Sequence, residues 1–417
     1  MYQSYELSDS KTFFSAEIES RESNLATGYD ARTGKPEQAS ELTIEDVEEI
    51  SGQLSSSEEA ARAWQNLLPL VDLTMPEETV FKGSLAKMLY GEWYGFDEPQ
   101  IPRDMYGEAS PEGGFEAIIT RTTLHKAITW GVKLARDQLL STQQNMVRLG
   151  GVQACFRSEA AGDIKEGWKT IGFNQADIEV FARTDESLRP VDVDAETIGS
   201  GIDYFANSGI PNAVLQVRLN NPNRILYSIL AQTGISLGEG ANSFGWGLLD
   251  EMAAARVKGQ PYESLREEAL SEVAQWKQED RLPVEAERFL TTLIIEGRYD
   301  MELLEQSFPD AYRAVLELAE LKQRLSEKYP DATIQIDPLS TRMSYSETAW
   351  QYDVVSGQDT FAELGGGGVY TRVAALSWEK QFGQPAPKNL RCAGFAVGVM
   401  RADTVKQILA AKERNDG

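Results

Sequence analysis

One histidine, His125, and two cysteines, Cys155 and Cys392, are the only thiol and imidazole groups in 417 residues. A structural zinc site needs four such groups at close spacing, so that class of function is excluded. Both thiols are expected to be buried, reduced core residues of an intracellular protein. Basic charge is scarce as well: 40 Lys and Arg against 65 Asp and Glu leave a formal charge of -25. Such a surface repels phosphate backbones and puts a nucleic-acid partner at a disadvantage, although a local basic patch remains compatible with it. No uncharged stretch approaches the roughly 20 residues of a membrane span. MYQSYELSDSKTFF lacks a basic region followed by an apolar core, so no secretory leader is expected. The expectation is a soluble, cytoplasmic protein. At 41% hydrophobic residues the chain is too apolar for disorder and too long for one compact unit, which predicts two or three domains.

What is present is an ordered alternation of patterns. The first 75 residues are rich in Glu, Ser and Asp, with two capped helix starts, SELTIEDVEEI and SSSEEAARAWQNLL, and read as an appended segment. FKGSLAKMLYGEWYGF reads as a helix, DEPQIP as extended backbone, and FEAIITRTTLHKAITWGVKLARDQL as a strand followed by a helix. GGVQACFRSEA and FNQADIEVFAR alternate in the manner of half-buried antiparallel strands. Side chains repeat every second residue on a strand, so Arg157 and Glu159 share one face of the first, and Gln175, Asp177 and Glu179 one face of the second. After the strand AVLQVRLNN a leucine-rich helical region runs from Asn223 to Tyr329, interrupted at GEGANSFGWG, Pro261, Pro283 and Pro309. Strands then return in ATIQIDPLSTRMSY, TAWQYDVV and the segment around Gly365 to Gly368, and RCAGFAVGVMRADTVKQILAA reads as a strand leading into a terminal helix.

Several of these segments, in this order, resemble the catalytic core of class II aminoacyl-tRNA synthetases, and more narrowly the histidyl branch. YGFDEPQIP resembles the end of the first class II motif, and FRSEAAGDIKEGWKTIGFNQADIEVF the second. VRLNNPNRILYSIL resembles the start of the helical insertion, and DPLSTRMSYSETAWQYDV the histidyl-specific segment. GGGVYTRVAAL resembles the glycine-rich turn, and GFAVGVMR the third motif with its arginine. The resemblance implies an α+β fold, an antiparallel sheet of the class II synthetase type flanked by helices. It divides the chain into an acidic N-terminal extension (1–75), a first core part (76–222), a helical insertion (223–330) and a second core part (331–417).

It also implies a site. An aminoacyl adenylate forms when a carboxylate attacks the ATP α-phosphate, so two anions must be held together and the charge developing at phosphorus neutralised. Guanidinium groups suit that task, being bidentate toward phosphate and charged at all relevant pH. By resemblance Arg157 would meet the α-phosphate, Glu159 the adenine side of ATP, Arg401 the γ-phosphate, and Arg342 would bridge carboxylate and α-phosphate. Gln175 and Glu179 would line the amino-acid pocket. Mg2+ would accompany ATP, with Glu159, Glu363 and Asp353 among its candidate ligands. A class II core implies a homodimer.

The departures point away from histidine. Where histidyl enzymes carry a PEGT segment for the α-amino group, this chain has Thr122, Thr123 and His125. The paired tyrosines become Ser346 and Glu347, the acidic residue before them becomes Tyr345, and the aspartate of the glycine-rich turn becomes Thr371. The sequence stops about fifteen residues after the third motif, without an anticodon-binding domain, so an ordinary tRNA is not expected as acceptor. Two functions remain open. One is ATP-dependent activation of an amino acid or related carboxylate as an acyl-adenylate, with transfer to an amine or a carrier protein. The other is a non-catalytic relative of the regulatory subunit of ATP phosphoribosyltransferase. Single residues keep structural alternatives too: Arg157 with Glu159 as a cross-strand pair, Arg342 beside Glu347, Arg401 with Asp403, and the glycine run as a loop.

Overall fold

The computed structural model describes residues 56–74, 135–136, 145–156, 172–235, 243–257, 259–341, 347–356 and 359–416. Its framework is one mixed, mostly antiparallel sheet with helices, an α+β architecture. The strands are β1 (Leu73–Thr74), β2 (Met146–Phe156), β3 (Gly172–Arg183), β4 (Leu215–Asn220), β5 (Thr333–Ile336), β6 (Ala349–Ser356), β7 (Asp359–Val369) and β8 (Leu390–Gly398). They lie in the order β1-β2-β3-β8-β7-β6-β4-β5. The first and last neighbours in that order, β1 with β2 and β4 with β5, are parallel, and the other pairings are antiparallel.

Alternation gives this sheet two chemically different faces. On one face Ala176, Ile178, Val180 and Ala182 of β3 join Ala393, Phe395 and Val397 of β8 and Leu215, Val217 and Leu219 of β4 in the main core. Helix α1 (Glu58–Leu67) packs there through Ala60, Ala63 and Leu67, which repeat at helical spacing, and Ser57 caps it by accepting from the Ala60 N–H at 3.1 Å. Residues 56–74, the described part of the segment that reads as appended, contribute a helix to the core and, in β1, an edge strand beside β2. Acidic composition hid this, because the solvent face of α1 supplies the charge while its apolar stripe faces β2 and β3.

Helix α2 (Pro190–Asn207) crosses the same face through Val193, Ile198, Ile202 and Phe205. The Tyr352 hydroxyl of β6 donates to the Ile198 carbonyl at 3.0 Å, and a β-carbon at Gly201 would collide with that ring. After β4 come a π-helical turn (Asn223–Tyr227), α3 (Ser228–Gln232), a second π-helical segment (Ser243–Asp250), α4 (Glu251–Val257), α5 (Glu263–Gln278), α6 (Val284–Glu296), α7 (Met301–Ser307) and α8 (Pro309–Lys328). Pro283 and Pro309 stand at helix starts, where a missing N–H costs nothing. Leu318, Leu321 and Leu325 of α8 turn into the core. Helix α9 (Thr371–Phe382) follows β7, and α10 (Val399–Asp416) follows β8 without a break.

The glycine run is strand rather than loop. Gly365 to Gly368 pair with Val397, Ala396, Phe395 and Gly394 of β8, in that order. A β-carbon at Gly365 or Gly367 would overlap the main-chain oxygen of Ala396 or Gly394, so two of these glycines serve close strand approach.

Candidate functional site

The opposite face of the sheet is built differently. In β3 it carries Gln175, Asp177, Glu179 and Phe181, spaced by two. Beside them β8 presents only small groups: Gly398 lies opposite Gln175, Ala396 opposite Asp177 and Gly394 opposite Glu179. The next strand continues the pattern, Gly366 beside Ala396 and Gly368 beside Gly394. Beyond it β6 presents Ala349 and Gln351, paired with Gly368 and Gly366. Strands about 4.8 Å apart make the span from β3 to β6 roughly 14 Å. The result is a trough two strands wide, floored by backbone, with an acidic wall on β3.

The trough is graded in depth. At one end Phe181, Tyr370, Cys392 and Trp378 form a small apolar cluster of buried residues, the Phe181 and Tyr370 rings packing edge to face at 6.2 Å between centroids. At the other, Gln175, Gly366, Ala396 and Gly398 are partly exposed. Glu179 stands at the closed end and is 4% exposed, with Asp177 beside it fully buried. The Glu179 carboxylate lies directly over Gly394, where any β-carbon would overlap its Oε2. That same oxygen is buried without a hydrogen-bond partner. Burial first, and the charge of Asp177 second, push the Glu179 carboxyl well above the ordinary range, while the neighbouring Tyr370 hydroxyl opposes the rise. A buried acid left half satisfied costs stability, and proteins retain such groups where they meet a ligand.

Gly394→Ala tests whether the glycine exists for Glu179. The added methyl has to displace the carboxylate, so a loss of about 1–3 kcal/mol is expected in denaturant unfolding.

Two buried ion networks, one beside the trough and one on the opposite, core face of the sheet, remove other acids from consideration. Arg218 of β4 donates from Nε to Asp353 Oδ2 at 2.7 Å and from Nη1 to Asp337 Oδ2 at 3.1 Å. Gln351 donates to Asp353 Oδ1 at 2.9 Å, and Arg256 of α4 completes Asp337. On the side of α2, Arg391 holds Asp194 with two hydrogen bonds of 2.9 and 2.6 Å and reaches Glu347 at 2.5 Å. Glu347 therefore pairs with a core arginine. Thr371 is likewise structural, accepting from the Cys392 N–H at 2.9 Å.

Of the residues nominated from sequence, Gln175 and Glu179 fall on the trough wall, and Arg401 falls at its open end. Arg401 sits in the first turn of α10 beyond Gly398, and its Nη1 donates to the Glu363 main-chain carbonyl at 3.1 Å. Asp403, weighed as its partner, pairs with Arg62 of α1 at 2.6 Å. Arg157, Glu159, Thr123, His125, Arg342 and Tyr345 lie outside the described residues. Cys392 is buried and free, as expected of a core thiol. Among the described residues no group of three or more His, Cys, Asp or Glu could hold a metal, and Asp353 is committed to Arg218 and Gln351. The described residues do not assemble a magnesium site. Within them, no helix is long and apolar enough to cross a membrane. Sequence reasoning placed Asp177 on the same strand face as Gln175 and Glu179 without nominating it for the site.

No protein-family model and no curated protein matches the chain. Solved structures do. A protein from Bacillus halodurans C described as an ATP phosphoribosyltransferase regulatory subunit/histidyl-tRNA synthetase is 14% identical, with 84% of this chain and 80% of that chain covered and a TM-score of 0.49. A histidine-tRNA ligase subunit from Alicyclobacillus acidocaldarius is 16% identical over 85% of this chain and 93% of that chain, again with a TM-score of 0.49. The ATP phosphoribosyl transferase (HisG:HisZ) complex from Thermotoga maritima follows at 12% identity, 64% and 79% coverage and a TM-score of 0.40. The structural neighbours are histidyl-tRNA synthetase-like proteins. They belong to the group that the sequence motifs resemble.

Proposed function

We propose that the trough binds an amino acid and that the chain activates its carboxylate with ATP for an acceptor other than an ordinary tRNA. The observation that carries this reading is the Glu179 carboxyl, buried over Gly394 with an oxygen that makes no hydrogen bond. An incoming ammonium group supplies the missing partner and the compensating charge at once. With that group seated at the closed end, the substrate carboxylate extends along the floor toward Gln175 and Arg401. In this reading ATP phosphates lie at the open end, where Arg401 would take the γ-phosphate, with Arg157, Arg342 and Glu159 in the roles that the resemblance implies. Thr123 and Tyr345 would complete the amino-acid pocket. A homodimer belongs to the same reading. Magnesium would enter with the triphosphate, held by phosphate oxygens.

The test is amino-acid-dependent exchange of pyrophosphate into ATP across a panel of amino acids. Exchange with at least one acid is expected, and Arg401→Ala should lower it by about 100-fold or more, the loss typical of one removed transition-state contact. Circular dichroism and thermal unfolding of the variant beside the parent separate a loss of chemistry from a loss of folding.

A second reading is the regulatory one, in which the trough senses a ligand for a partner phosphoribosyltransferase. The commitment of Asp353 to Arg218 favours it, because one candidate magnesium ligand is thereby withdrawn. Amino-acid binding with no exchange for any acid, together with co-purification of a phosphoribosyltransferase, would support this reading over activation.

A further inference from the structure

Helix α1 lies outside every segment that carries the synthetase resemblance, yet it is fastened behind the open end of the trough. Its capping Ser57 accepts from the Asn174 amide at 3.2 Å, and Asn174 adjoins Gln175 on β3 with its side chain on the core face. At the other end of α1 the Asn66 amide donates to Ser208 Oγ at 3.0 Å, and the Asn66 carbonyl accepts from the Asn207 amide at 3.2 Å. A β-carbon at Gly150 of β2 would overlap Val71 and crowd Leu67, so the sheet is shaped to fit this segment. Between these points Arg62 pairs with Asp403 at 2.6 Å, with Glu58 one turn back at 3.8 Å. Asp403 follows Arg401 by two residues at the start of α10. Positions two apart face different sides of a helix, so Asp403 turns toward α1 and Arg401 toward the trough. The stem of Arg401 stands 3.8 Å from where a β-carbon of Gly398 would sit, and its Nη1 reaches the Glu363 carbonyl of β7 at 3.1 Å. The start of α10 is thereby held on two sides, by β7 through Arg401 and by α1 through Asp403.

We propose that Arg62 is a positioning residue for Arg401, and that α1 thereby sets the affinity of the open end for a triphosphate. This rests on the reading of Arg401 as a phosphate contact. Arg62 touches no substrate; it fixes the helical turn from which Arg401 projects. Strand β8 runs into α10 without a loop, and Gly398 at that junction brings no side chain to brace it. A guanidinium already held in its binding position loses less freedom when an anion arrives, and that saving appears as affinity. Arg62 is half exposed, so the pair adds little to stability and its effect is expected in ligand binding. Glu179 lies opposite Gly394, four residues along β8 from Gly398, so the closed end should not feel the change.

The experiment is calorimetric titration of the full chain with ATP and magnesium, and KM measurement wherever pyrophosphate exchange occurs. The parent is compared with Arg62→Ala, Arg62→Lys, Arg401→Ala and the double variant Arg62→Ala/Arg401→Ala. Arg62→Ala is expected to weaken ATP by roughly three- to ten-fold while the amino-acid KM stays within about two-fold of the parent. Arg62→Lys keeps the charge and should recover most of the loss. In the Arg401→Ala background Arg62→Ala should add nothing, because its effect runs through the missing guanidinium. Parent-like ATP affinity in Arg62→Ala, or an equal loss in both backgrounds, would overturn the inference and leave the activation reading intact. ATP binding without exchange for any amino acid would overturn activation, and the ATP affinities of the same variants would still decide the role of Arg62. No ATP binding by the parent would overturn both. Should Arg62→Ala fail to fold by circular dichroism, Asp403→Asn takes its place in the same comparison.

Discussion

Arg218→Ala is expected to destabilise the protein by about 3–5 kcal/mol, enough to unfold it under mild conditions. Arg218 is 3% exposed and holds Asp353 and Asp337, both fully buried at the side chain. Removing the guanidinium leaves Asp353 with Gln351, and Asp337 with Arg256 and the Leu339 N–H. Burial raises the Asp353 carboxyl above its ordinary range, while Arg218 pulls it down. Without Arg218 the opposing contribution is lost and the Asp353 carboxyl is displaced further upward. The same network ties β4 and β6 to α4, so its loss separates the sheet from the helical region. The measurement is urea unfolding of the variant beside Arg218→Met, which fills the space without the charge. Replacing Arg218, Asp353, Asp337 and Arg256 together by apolar residues of similar size should cost less than removing Arg218 alone.

Glu179→Gln is expected to act in opposite directions on stability and on function. The folded protein keeps a proton on Glu179 at pH values where the unfolded chain has released it. Its contribution is therefore fully present below the unfolded carboxyl range, near pH 4.3, and falls as pH rises toward the raised folded value. Glutamine has nothing to ionise, so the variant should lose that fall. A gain of about 0.5–2 kcal/mol at pH 7 to 8 is expected, with little change near pH 4. Amino-acid binding should weaken by at least about 30-fold, the loss of one buried charge-assisted hydrogen bond. A variant that is less stable than the parent at pH 8, or equally able to bind, contradicts the account of this residue.

The strands of the trough were legible because alternation survives any register. GGVQACF, FNQADIEVFAR and the strand in RCAGFAVGV each announce themselves by a period of two, and the same period places Gln175 and Glu179 together. Which strands lie side by side is a matter of long-range pairing. Nothing local says that Gly394, Ala396 and Gly398 stand opposite the three polar residues of β3, so the floor was invisible until the register was known. Arg218 and Asp353 are 135 residues apart, and Arg391 and Asp194 are 197 apart. A signal for the first existed: an arginine inside the apolar strand LQVRLN requires a buried acid somewhere. Glu347 was read beside substrate or Arg342 because its neighbours in sequence suggested so, whereas its ionic partner comes from the start of β8. The glycine run, read as strand with a loop as the alternative, is strand in the structure. Four consecutive glycines favour a loop locally, and only the close approach of β8 explains why they form a strand.

The amino-acid reading depends on Glu179 receiving a ligand's positive charge over Gly394. A crystal structure of the protein grown with the amino acid that it binds measures that directly. The account predicts an ammonium nitrogen within hydrogen-bond distance of the Glu179 carboxylate, with the ligand lying along the glycine floor toward Arg401. Density for the amino acid elsewhere, or a trough filled by the protein's own side chains at saturating ligand, would contradict it.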